Sequence, residues 1–234
     1  MFSRSARLYD AVYGFKDYDA EAEVLRALVD ARMPAARTLL DVACGTGKHL
    51  QRLRAWYEVE GLDLDARLLA VARERLPGVP LHEHDMVDFE LGRTFDVVAC
   101  LFSSVGYVRT TGRLRQAVRT MAGHVVPGGL VVVEPWLTPD VCDPDHVHAI
   151  VVDEPELKIV RMNSGAPIRD GTSTIEFHYL VGTPAGVKHF TEPHTLGAFT
   201  HDDYLAAFRD SGLEVEHDPQ GLMGRGLYLG RRGA

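Results

Sequence analysis

Three carboxylates and two glycines are spaced between residues 41 and 85 in a pattern typical of nucleotide binding. Asp41 ends an apolar run, and Gly45 and Gly47 follow it in a short turn. Glycine permits positive φ angles and close backbone approach, and the free N–H groups at the start of the next helix favour a polar ligand. Asp63 and Asp85 follow the next two apolar runs. The pattern predicts a ligand site where these runs end.

The same positions distinguish between two kinds of cofactor. A dinucleotide-binding loop has the pattern G-x-G-x-x-G, but the third glycine position is occupied here by Leu50. A carboxylate at Asp41 repels a pyrophosphate and attracts the ammonium group of an amino-acid cofactor. Asp63 can accept the ribose hydroxyls, Asp85 can accept the adenine amino group, and Met86 offers a thioether and a backbone N–H to the ring. We therefore expect S-adenosylmethionine (AdoMet) rather than the cofactor of a dehydrogenase.

A fourth apolar run, over residues 95–101, leads into small polar side chains. The residues that follow it include Ser103, Ser104, Gly106 and Tyr107. If this run is a neighbouring strand, they lie beside the reactive end of the cofactor, where an acceptor must sit. Methyl transfer mainly requires alignment of acceptor and donor, so we expect Tyr107 to orient the acceptor rather than to act as an essential base.

Alternating strand and helix patterns predict the elements that position these residues. The predicted helices cover residues 17–31, 47–56, 65–76, 112–124 and 200–208, and the predicted strands cover 38–42, 57–62, 79–83, 95–101, 130–134, 213–217 and 226–229. Such alternation indicates an α/β fold with a mainly parallel, Rossmann-like sheet of seven strands and helices on both faces. Thr200 with Asp203 resembles a capping box, Asp65 is a candidate N-cap, Gly212 is a candidate C-cap, and 127–129 is expected to form a tight turn.

The residues after the fifth strand have a different character. Segments 147–152, 157–162, 173–181 and 187–191 are rich in β-forming residues and are separated by turn sequences at 170–171 and 184–186. We expect an antiparallel β insert over 137–199, with 1–136 and 200–234 forming the cofactor-binding domain. The insert would cap the strand ends as the substrate side of the site, and its exposed edge could form a homodimer interface.

Composition limits the classes of partner. The formal net charge is −8, which disfavours nucleic acid because phosphate binding needs clustered Lys and Arg. No run has the length of a membrane span, and the first ten residues lack an apolar targeting segment, so we expect a cytoplasmic protein. Cys44, Cys100 and Cys142 have no C-x-x-C spacing, and we expect them to be structural thiols.

A group of metal-ligating side chains also needs interpretation. Its members are Asp143, Asp145, His146 and His148. These residue types could bind zinc or iron. They surround Pro144 in a predicted loop, however, with no other cofactor motif nearby, so we expect no metal site.

Several stretches together resemble the class I AdoMet-dependent methyltransferases. Within that class the chain is similar to the N,N-dimethyltransferases of nucleotide-linked amino sugars in macrolide pathways, such as those that make desosamine and mycaminose. The shared stretches are Tyr9-Asp10, Lys16-Asp17-Tyr18, LLDVACGTG over 39–47, FSSVGY over 102–107, VVVEPW over 131–136 and GRGL over 224–227. The similarity covers nearly the whole chain, including the insert.

The resemblance implies roles for particular residues. Tyr9 and Tyr18 would close over the methionine part of AdoMet, and Ser104 and Tyr107 would face the sugar as the catalytic pair. The full expected cofactor set is Tyr9, Tyr18, Asp41, Ala43, Gly45, Gly47, Asp63, Leu64, Asp85, Met86, Leu101 and Phe102. The expected substrate set is Ser103, Trp136, Tyr179, His194 and Arg225, with the planar guanidinium of Arg225 suited to a diphosphate.

The predicted function follows from these assignments, with alternatives left open. The chain would N,N-dimethylate the amino group of a dTDP-linked deoxy amino sugar in antibiotic biosynthesis and release S-adenosylhomocysteine. Alternatives are an N- or O-methyltransferase of another small-molecule natural product and a non-catalytic nucleotide-binding subunit. Sequence alone does not identify the sugar, the position of its amine or the number of methyl groups added.

Overall fold

Two β-sheets, the larger one flanked by helices, form the part of the chain that the computed structural model describes, residues 5–141 and 143–233. The helices are α1 (Tyr9–Val12), α2 (Tyr18–Asp30), α3 (Lys48–Leu53), α4 (Ala66–Arg75), α5 (Thr111–Gly123) and α6 (His201–Arg209), with 3-10 turns at Ala6–Leu8 and Ser104–Val108. The strands are β1 (Thr38–Val42), β2 (Glu58–Asp63), β3 (Leu81–Glu83), β4 (Phe95–Cys100), β5 (Val125–Val133), β6 (Val147–Glu154), β7 (Leu157–Ser164), β8 (Thr172–Thr183), β9 (Gly186–Gly197), β10 (Leu213–Asp218) and β11 (Leu227–Arg232).

The larger sheet has seven strands in the order β10-β11-β5-β4-β1-β2-β3. Strand β11 is antiparallel to both β5 and β10, whereas β1 through β5 pair in parallel. The predicted seven-stranded, mainly parallel and Rossmann-like sheet is therefore confirmed. The chain order along the sheet reverses between β1 and β4, and ligands of open α/β sheets bind at the carboxyl ends of strands beside such a reversal.

Helices cover both faces of this sheet, which explains the apolar character of its central strands. Side chains from α2, α3 and α4 pack on one face and side chains from α5 and α6 pack on the other. The last four residues of β5, Leu130 to Val133, are all buried, as expected for a strand covered on both sides. This rigid layer fixes where the strand ends lie.

The caps predicted from the sequence are largely confirmed. Asp65 accepts a hydrogen bond from the backbone of α4, and Thr200 forms a capping box with Asp203 at the start of α6. Helix α6 ends at Arg209 with Asp210 as its C-cap, so Gly212 is not the C-cap; it lies two residues further on with a positive φ. Most other predicted bounds differ from the structure by only a few residues.

Two predicted bounds are wrong for identifiable reasons. The expected turn at 127–129 is instead an irregularity inside β5, because Phe95 pairs with Val125 while Val97 pairs with Leu130. The predicted strand 187–191 extends through β9 to residue 197. It tolerates Pro193 because β9 is the edge of its sheet and needs no hydrogen bond on its outer side.

The smaller sheet is an antiparallel meander of β6, β7, β8 and β9, inserted between β5 and α6. The predicted β insert is thus confirmed, while its limits as a domain, 137–199, stay a prediction. Its inner face carries Ile159, Tyr179 and Val181, which pack against Val12 of α1. The amino-terminal part of the chain therefore lies against the insert.

Neither a membrane-spanning helix nor a disulfide occurs in the described ranges. No helix there is long and apolar enough to cross a bilayer. Cys44 and Cys100 are buried free thiols. Cys142 lies outside the described residues.

Candidate active site

A cavity of about 830 Å³ lies between the carboxyl ends of the larger sheet and the inner face of the insert. Its wall includes many of the residues predicted to form the site. They are Tyr9, Ala43, Gly45, Asp63, Leu64, Asp85, Met86, Phe102, Ser103, Ser104, Tyr107, Trp136 and Arg225. The volume lies in the upper part of the range of small-molecule sites, so a cofactor and a second ligand can occupy it together.

A narrow cleft adjoins this cavity at the glycine-rich turn. The two share Tyr9, Ala43, Gly45, Phe102 and Ser104, and the cleft is also lined by Tyr18, Asp41, Lys48, His49 and Leu101. All of the predicted cofactor residues except Gly47 line the cavity or the cleft. The cleft is where the amino-acid end of AdoMet was expected.

Asp41 supplies the clearest test of whether these residues fit AdoMet. Its exposed fraction is 1%, and its Oδ2 atom has no hydrogen-bond partner among the described residues. Burial, together with the nearby Asp63 carboxylate, raises the pKa of Asp41 to about 8. A buried carboxylate without a partner is unfavourable, and a cation in the cleft would compensate it. The ammonium group of AdoMet fits this requirement.

Asp63 and Asp85 stand at the ends of the next two strand regions, already oriented by hydrogen bonds. Asp63 accepts one from the backbone N–H of Gly45 and one from that of Asp65, each at 2.8 Å. Asp85 accepts one from the guanidinium of Arg113 at 2.7 Å. Ionised carboxylates have about four acceptor sites, so both groups retain capacity for ribose or adenine donors.

Three non-glycine residues at strand ends have positive φ angles: Ala43 at +61°, Phe102 at +51° and Ser103 at +61°. Such conformations cost about 1–3 kcal/mol each and persist only where surrounding contacts impose them. Here the backbone N–H of Phe102 donates to Glu134 at 2.6 Å, and the hydroxyl of Ser103 donates to the carbonyl of Pro135 at 2.8 Å. These bonds turn the residues after β4 toward the cavity.

Tyr107 is held by a histidine behind the cavity wall. Its hydroxyl lies 2.7 Å from Nδ1 of His194. Burial raises the pKa of Tyr107 well above its usual range and lowers the pKa of His194 to about 4. Both groups are therefore neutral near pH 7. The pair can position a ligand, but neither member readily takes up or releases a proton.

Three predicted residues occupy positions other than the expected ones. Gly47 does not line either space: it caps α3 with a φ of +76°, close to Leu76. Tyr179 and His194 are each 2% exposed and do not reach the cavity surface. Tyr179 packs inside the insert with Ile159, and His194 supports Tyr107. Their side chains lie behind the wall, in contrast to the direct substrate contacts expected from the sequence.

Several residues of the wall were not among those predicted from the sequence, and two of them are Arg161 and Tyr13. Arg161 on β7 is 4% exposed and donates to the Tyr13 hydroxyl at 2.9 Å. The alternation of β7, with Ile159 and Arg161 on the same face, could have indicated that this arginine points inward.

The possible metal ligands are also located. Asp143, His146 and His148 line the cavity, and the rings of His146 and His148 stack with centroids 6.1 Å apart. Across residues 5–141 and 143–233, no three His, Cys, Asp or Glu side chains are arranged to hold a metal ion. The two histidines remain available as hydrogen-bonding groups of the wall.

Comparisons with known proteins agree with this geometry. Residues 39–129 match a family model described as a methyltransferase domain. The chain is 46% identical, over 98% of its length and 91% of the relative, to dTDP-3-amino-3,6-dideoxy-alpha-D-glucopyranose N,N-dimethyltransferase of Streptomyces fradiae. It is 43% identical, over 97% of its length and 92% of the relative, to dTDP-4-amino-2,3,4,6-tetradeoxy-D-glucose N,N-dimethyltransferase of Saccharopolyspora spinosa.

A solved structure extends the comparison to three dimensions. An AdoMet-bound amino pentose methyltransferase of Micromonospora echinaspora, involved in calicheamicin biosynthesis, matches with a TM-score of 0.88 and 38% identity, covering 96% of each chain. The fold and the cleft thus define an AdoMet-dependent methyltransferase of class I. Within that class, the chain belongs to the family of N-methyltransferases that these amino-sugar enzymes represent.

Proposed function

We propose that this chain N,N-dimethylates the amino group of a dTDP-linked deoxy amino sugar in antibiotic biosynthesis. The observation that carries the proposal is the cavity shared by the strand ends and the insert, in a chain whose relatives align over both parts. Those relatives carry names of dTDP-amino-sugar N,N-dimethyltransferases. Their names place the amine at different ring positions, so the position in this chain's substrate is a matter for experiment.

Three carboxylates of the chain would contact three different parts of the cofactor. Asp41 would neutralise the ammonium group, Asp63 would accept the ribose hydroxyls, and Asp85, held by Arg113, would contact the adenine. When bound, AdoMet supplies an electrophilic methyl group on a sulfonium sulfur. Tyr9 lines both the cavity and the cleft and so lies at the junction between them.

The acceptor side consists of Ser104, Tyr107 and Trp136, which line the cavity beyond Phe102. Holding an amine in line with the methyl group supplies roughly 7–11 kcal/mol through effective molarity. Because Tyr107 and His194 are neutral and resist a change of charge, the chain contributes orientation. The amine arrives neutral and loses its proton to solvent after transfer.

Incubation with AdoMet and a panel of dTDP-linked amino sugars tests the proposal directly. The panel includes amines at C3 and C4 and their monomethylated forms, and mass spectrometry counts the methyl groups added. Calorimetric titration with dTDP provides a second readout. Methylation of a panel member together with micromolar binding of dTDP supports the proposal. Methylation only of acceptors that lack a nucleotide overturns it in favour of another small-molecule methyltransferase.

We also propose that the chain acts as a cytoplasmic homodimer that binds no nucleic acid. Large apolar side chains are exposed on the outer face of the insert, as expected for a covered surface: Val147, Val151, Met162, Leu180 and Val187. A twofold pairing of this face would bury them. The buried free thiols and the net charge of −8 are consistent with the cytoplasm and with a small-molecule partner.

Substitution on the outer face of the insert tests the dimer. Val151 is 69% exposed, so Val151→Lys would not disturb the fold but would place a charge in the interface. Sedimentation velocity should show a dimer for the wild type and a monomer for the variant. Val24→Lys, on the exposed side of α2, is the control and should remain dimeric. A wild type that sediments as a monomer contradicts the proposed assembly.

A further inference from the structure

Arg161 is a buried cation that forms no ion pair with any carboxylate in the part of the chain that the structure describes. Its side chain is 4% exposed. Its one side-chain hydrogen bond goes from a terminal nitrogen to the Tyr13 hydroxyl at 2.9 Å, and its Nε atom has no partner there. An uncompensated buried charge is strongly unfavourable. A ligand anion that pairs with Arg161 would remove this penalty.

Two aromatic rings lie within cation–π distance of the Arg161 guanidinium group. Its central carbon lies 5.0 Å from the ring centroid of Tyr13 and 4.6 Å from that of Phe177. These cation–π contacts, together with the hydrogen bond to Tyr13, restrict the side chain before any ligand binds. Arg161 lines the cavity, so this arrangement presents a planar set of N–H donors to its interior. Such a group suits two oxygens of one anion.

The neighbouring positions of the insert add further polar groups. The amide nitrogen of Asn163 donates one N–H to the Ser164 carbonyl at 3.1 Å and retains the other, while its Oδ1 atom has no partner among the described residues. Asn163 lies two residues along β7 and so on the same face, and it pairs with His148 on β6. Both line the cavity. Burial, with the charge of Arg161, lowers the pKa of His148, which keeps its ring neutral. Asp143 also lines the cavity, but it accepts from the backbone of Asp145 and makes no ion pair with Arg161.

The acceptor, rather than the cofactor, is the source of the anion. The carboxylate of AdoMet belongs with its ammonium group near Asp41, and Arg161 does not line that cleft. A wall with an arginine, an amide and imidazoles offers more donors than one carboxylate uses, whereas a diphosphate has oxygens for all of them. Arg225, the candidate expected from the sequence, is exposed and donates to the Ser103 hydroxyl at 2.9 Å. Its charge is therefore screened by solvent.

We propose that Arg161 anchors the acceptor by binding the phosphate oxygens of its diphosphate. The inference rests on the proposed function, because that function supplies a nucleoside diphosphate sugar. It makes a buried residue of the insert, not the exposed Arg225, the main determinant of phosphate recognition. The insert then selects nucleotide-linked acceptors in addition to closing the cavity.

Calorimetric titration of the full chain with dTDP and with thymidine separates phosphate recognition from base recognition. Arg161→Met should bind dTDP about 100-fold more weakly than the wild type, because it loses a charge-assisted bidentate contact. Its affinity for thymidine should not change. Arg161→Lys should recover only part of the loss, since an ammonium group lacks the planar fork. Arg169→Met, an exposed arginine of the insert, is the matched control, and Arg225→Met is the direct competitor.

Thermal unfolding distinguishes a ligand-binding role of Arg161 from a purely structural one. Arg161→Met loses the hydrogen bond to Tyr13 but also removes an unpaired buried charge, so the Tm of the ligand-free variant should stay close to that of the wild type. Addition of dTDP should raise the Tm of the wild type and not that of the variant. A structural arginine would show the reverse: a less stable variant that still responds to dTDP.

The outcomes separate this inference from the function on which it rests. If the wild type binds dTDP and Arg161→Met binds it equally well, the anchor is overturned while the proposed substrate stands. The anchor is also overturned, and the proposed substrate still stands, if Arg225→Met weakens dTDP binding more than Arg161→Met does. If the wild type binds no dTDP, both the anchor and the nucleotide-linked substrate are overturned.

Discussion

Among individual residues, Asp41 has the strongest electrostatic reason to bind a cation. Its carboxyl group is buried beside Asp63 with one oxygen unpaired, and its pKa is raised to about 8 in the protein without ligand. A bound ammonium group favours the ionised form. Cofactor binding should therefore release a proton from Asp41 at neutral pH.

This linkage predicts a pH-dependent affinity for S-adenosylhomocysteine. Below pH 8, ligand binding must first ionise Asp41, so affinity should rise about tenfold per pH unit up to pH 8 and then level off. Asp41→Asn should lower affinity about 10–100-fold at pH 8, since it removes a charged hydrogen-bond partner. It should also flatten the dependence. Titrations from pH 6 to 9 measure both effects, and a wild-type affinity independent of pH would contradict the assignment.

Tyr107 yields a prediction about catalysis. Its pKa is raised by burial and its partner His194 stays neutral, so proton transfer through this pair is unfavourable. Tyr107→Phe should lower kcat by about tenfold, the effect of losing one orienting hydrogen bond, and leave the pH profile unchanged. Steady-state rates with saturating AdoMet test this. A fall of more than about 10⁴-fold would instead show that general-base catalysis is essential.

Among the elements, the turn between β1 and α3 uses its two glycines for different purposes. Gly45 has a φ of +58° and open space around the position of a Cβ atom, while lining the cavity. Gly47 has a φ of +76°, and a Cβ atom there would lie 2.6 Å from a methyl group of Leu76. Gly45 therefore leaves room for ligand, whereas Gly47 allows α3 and α4 to pack.

Alanine substitution should separate these two roles. Gly47→Ala should lower the free energy of unfolding by about 2–4 kcal/mol through backbone strain and overpacking. Gly45→Ala should cost only about 1–2 kcal/mol of stability, but it should weaken cofactor binding more than tenfold because its methyl group enters the ligand space. Urea unfolding and titration with S-adenosylhomocysteine measure the two quantities. Equal effects of both substitutions on stability would refute this division.

The strand ends were predictable because local patterns determine them. Asp41, Asp63 and Asp85 each follow an apolar run, and the parallel order of those runs brings their ends to one edge of the sheet. The Ser104–Val108 turn was not predicted, since Phe102 and Ser103 adopt positive φ angles without glycine. Contacts with Glu134 and Pro135 impose that conformation, and both lie some thirty positions further along the chain.

The strands of the insert could be predicted from the sequence, but the residues that they present to the cavity could not. Which face of β7 or β9 points inward depends on register with neighbouring strands and on how the insert packs against the Ser104–Val108 turn. Thus Tyr179 and His194, expected to contact substrate, lie behind the cavity wall. Arg161, which was not predicted as a site residue, lines the cavity. Local sequence carries little information about such long-range contacts.

At the scale of the whole molecule, residues 5–13 join the two sheets across the cavity. Ser5 hydrogen-bonds to Glu192 of the insert, and the Tyr13 hydroxyl accepts from Arg161. On the other side, Asp10 accepts from the Thr46 hydroxyl at 2.7 Å and pairs with Arg75 of α4. Tyr9, between these attachments, lines both the cavity and the cleft. This N-terminal segment therefore closes the site by bridging its two halves.

Loosening one attachment should open the site without unfolding the protein. The bonds of Asp10 are partly buried and charged, and each is worth about 1.5–3 kcal/mol, so Asp10→Ala should raise the population in which residues 5–13 are detached. The KM for AdoMet should rise at least tenfold, and amide hydrogen exchange over 9–12 should accelerate, while the urea midpoint changes little. Asp19→Ala, which removes an exposed carboxylate paired with Arg52, is the control and should leave KM and exchange unchanged. Faster exchange with an unchanged KM would show that the segment covers the cavity without contributing to cofactor binding.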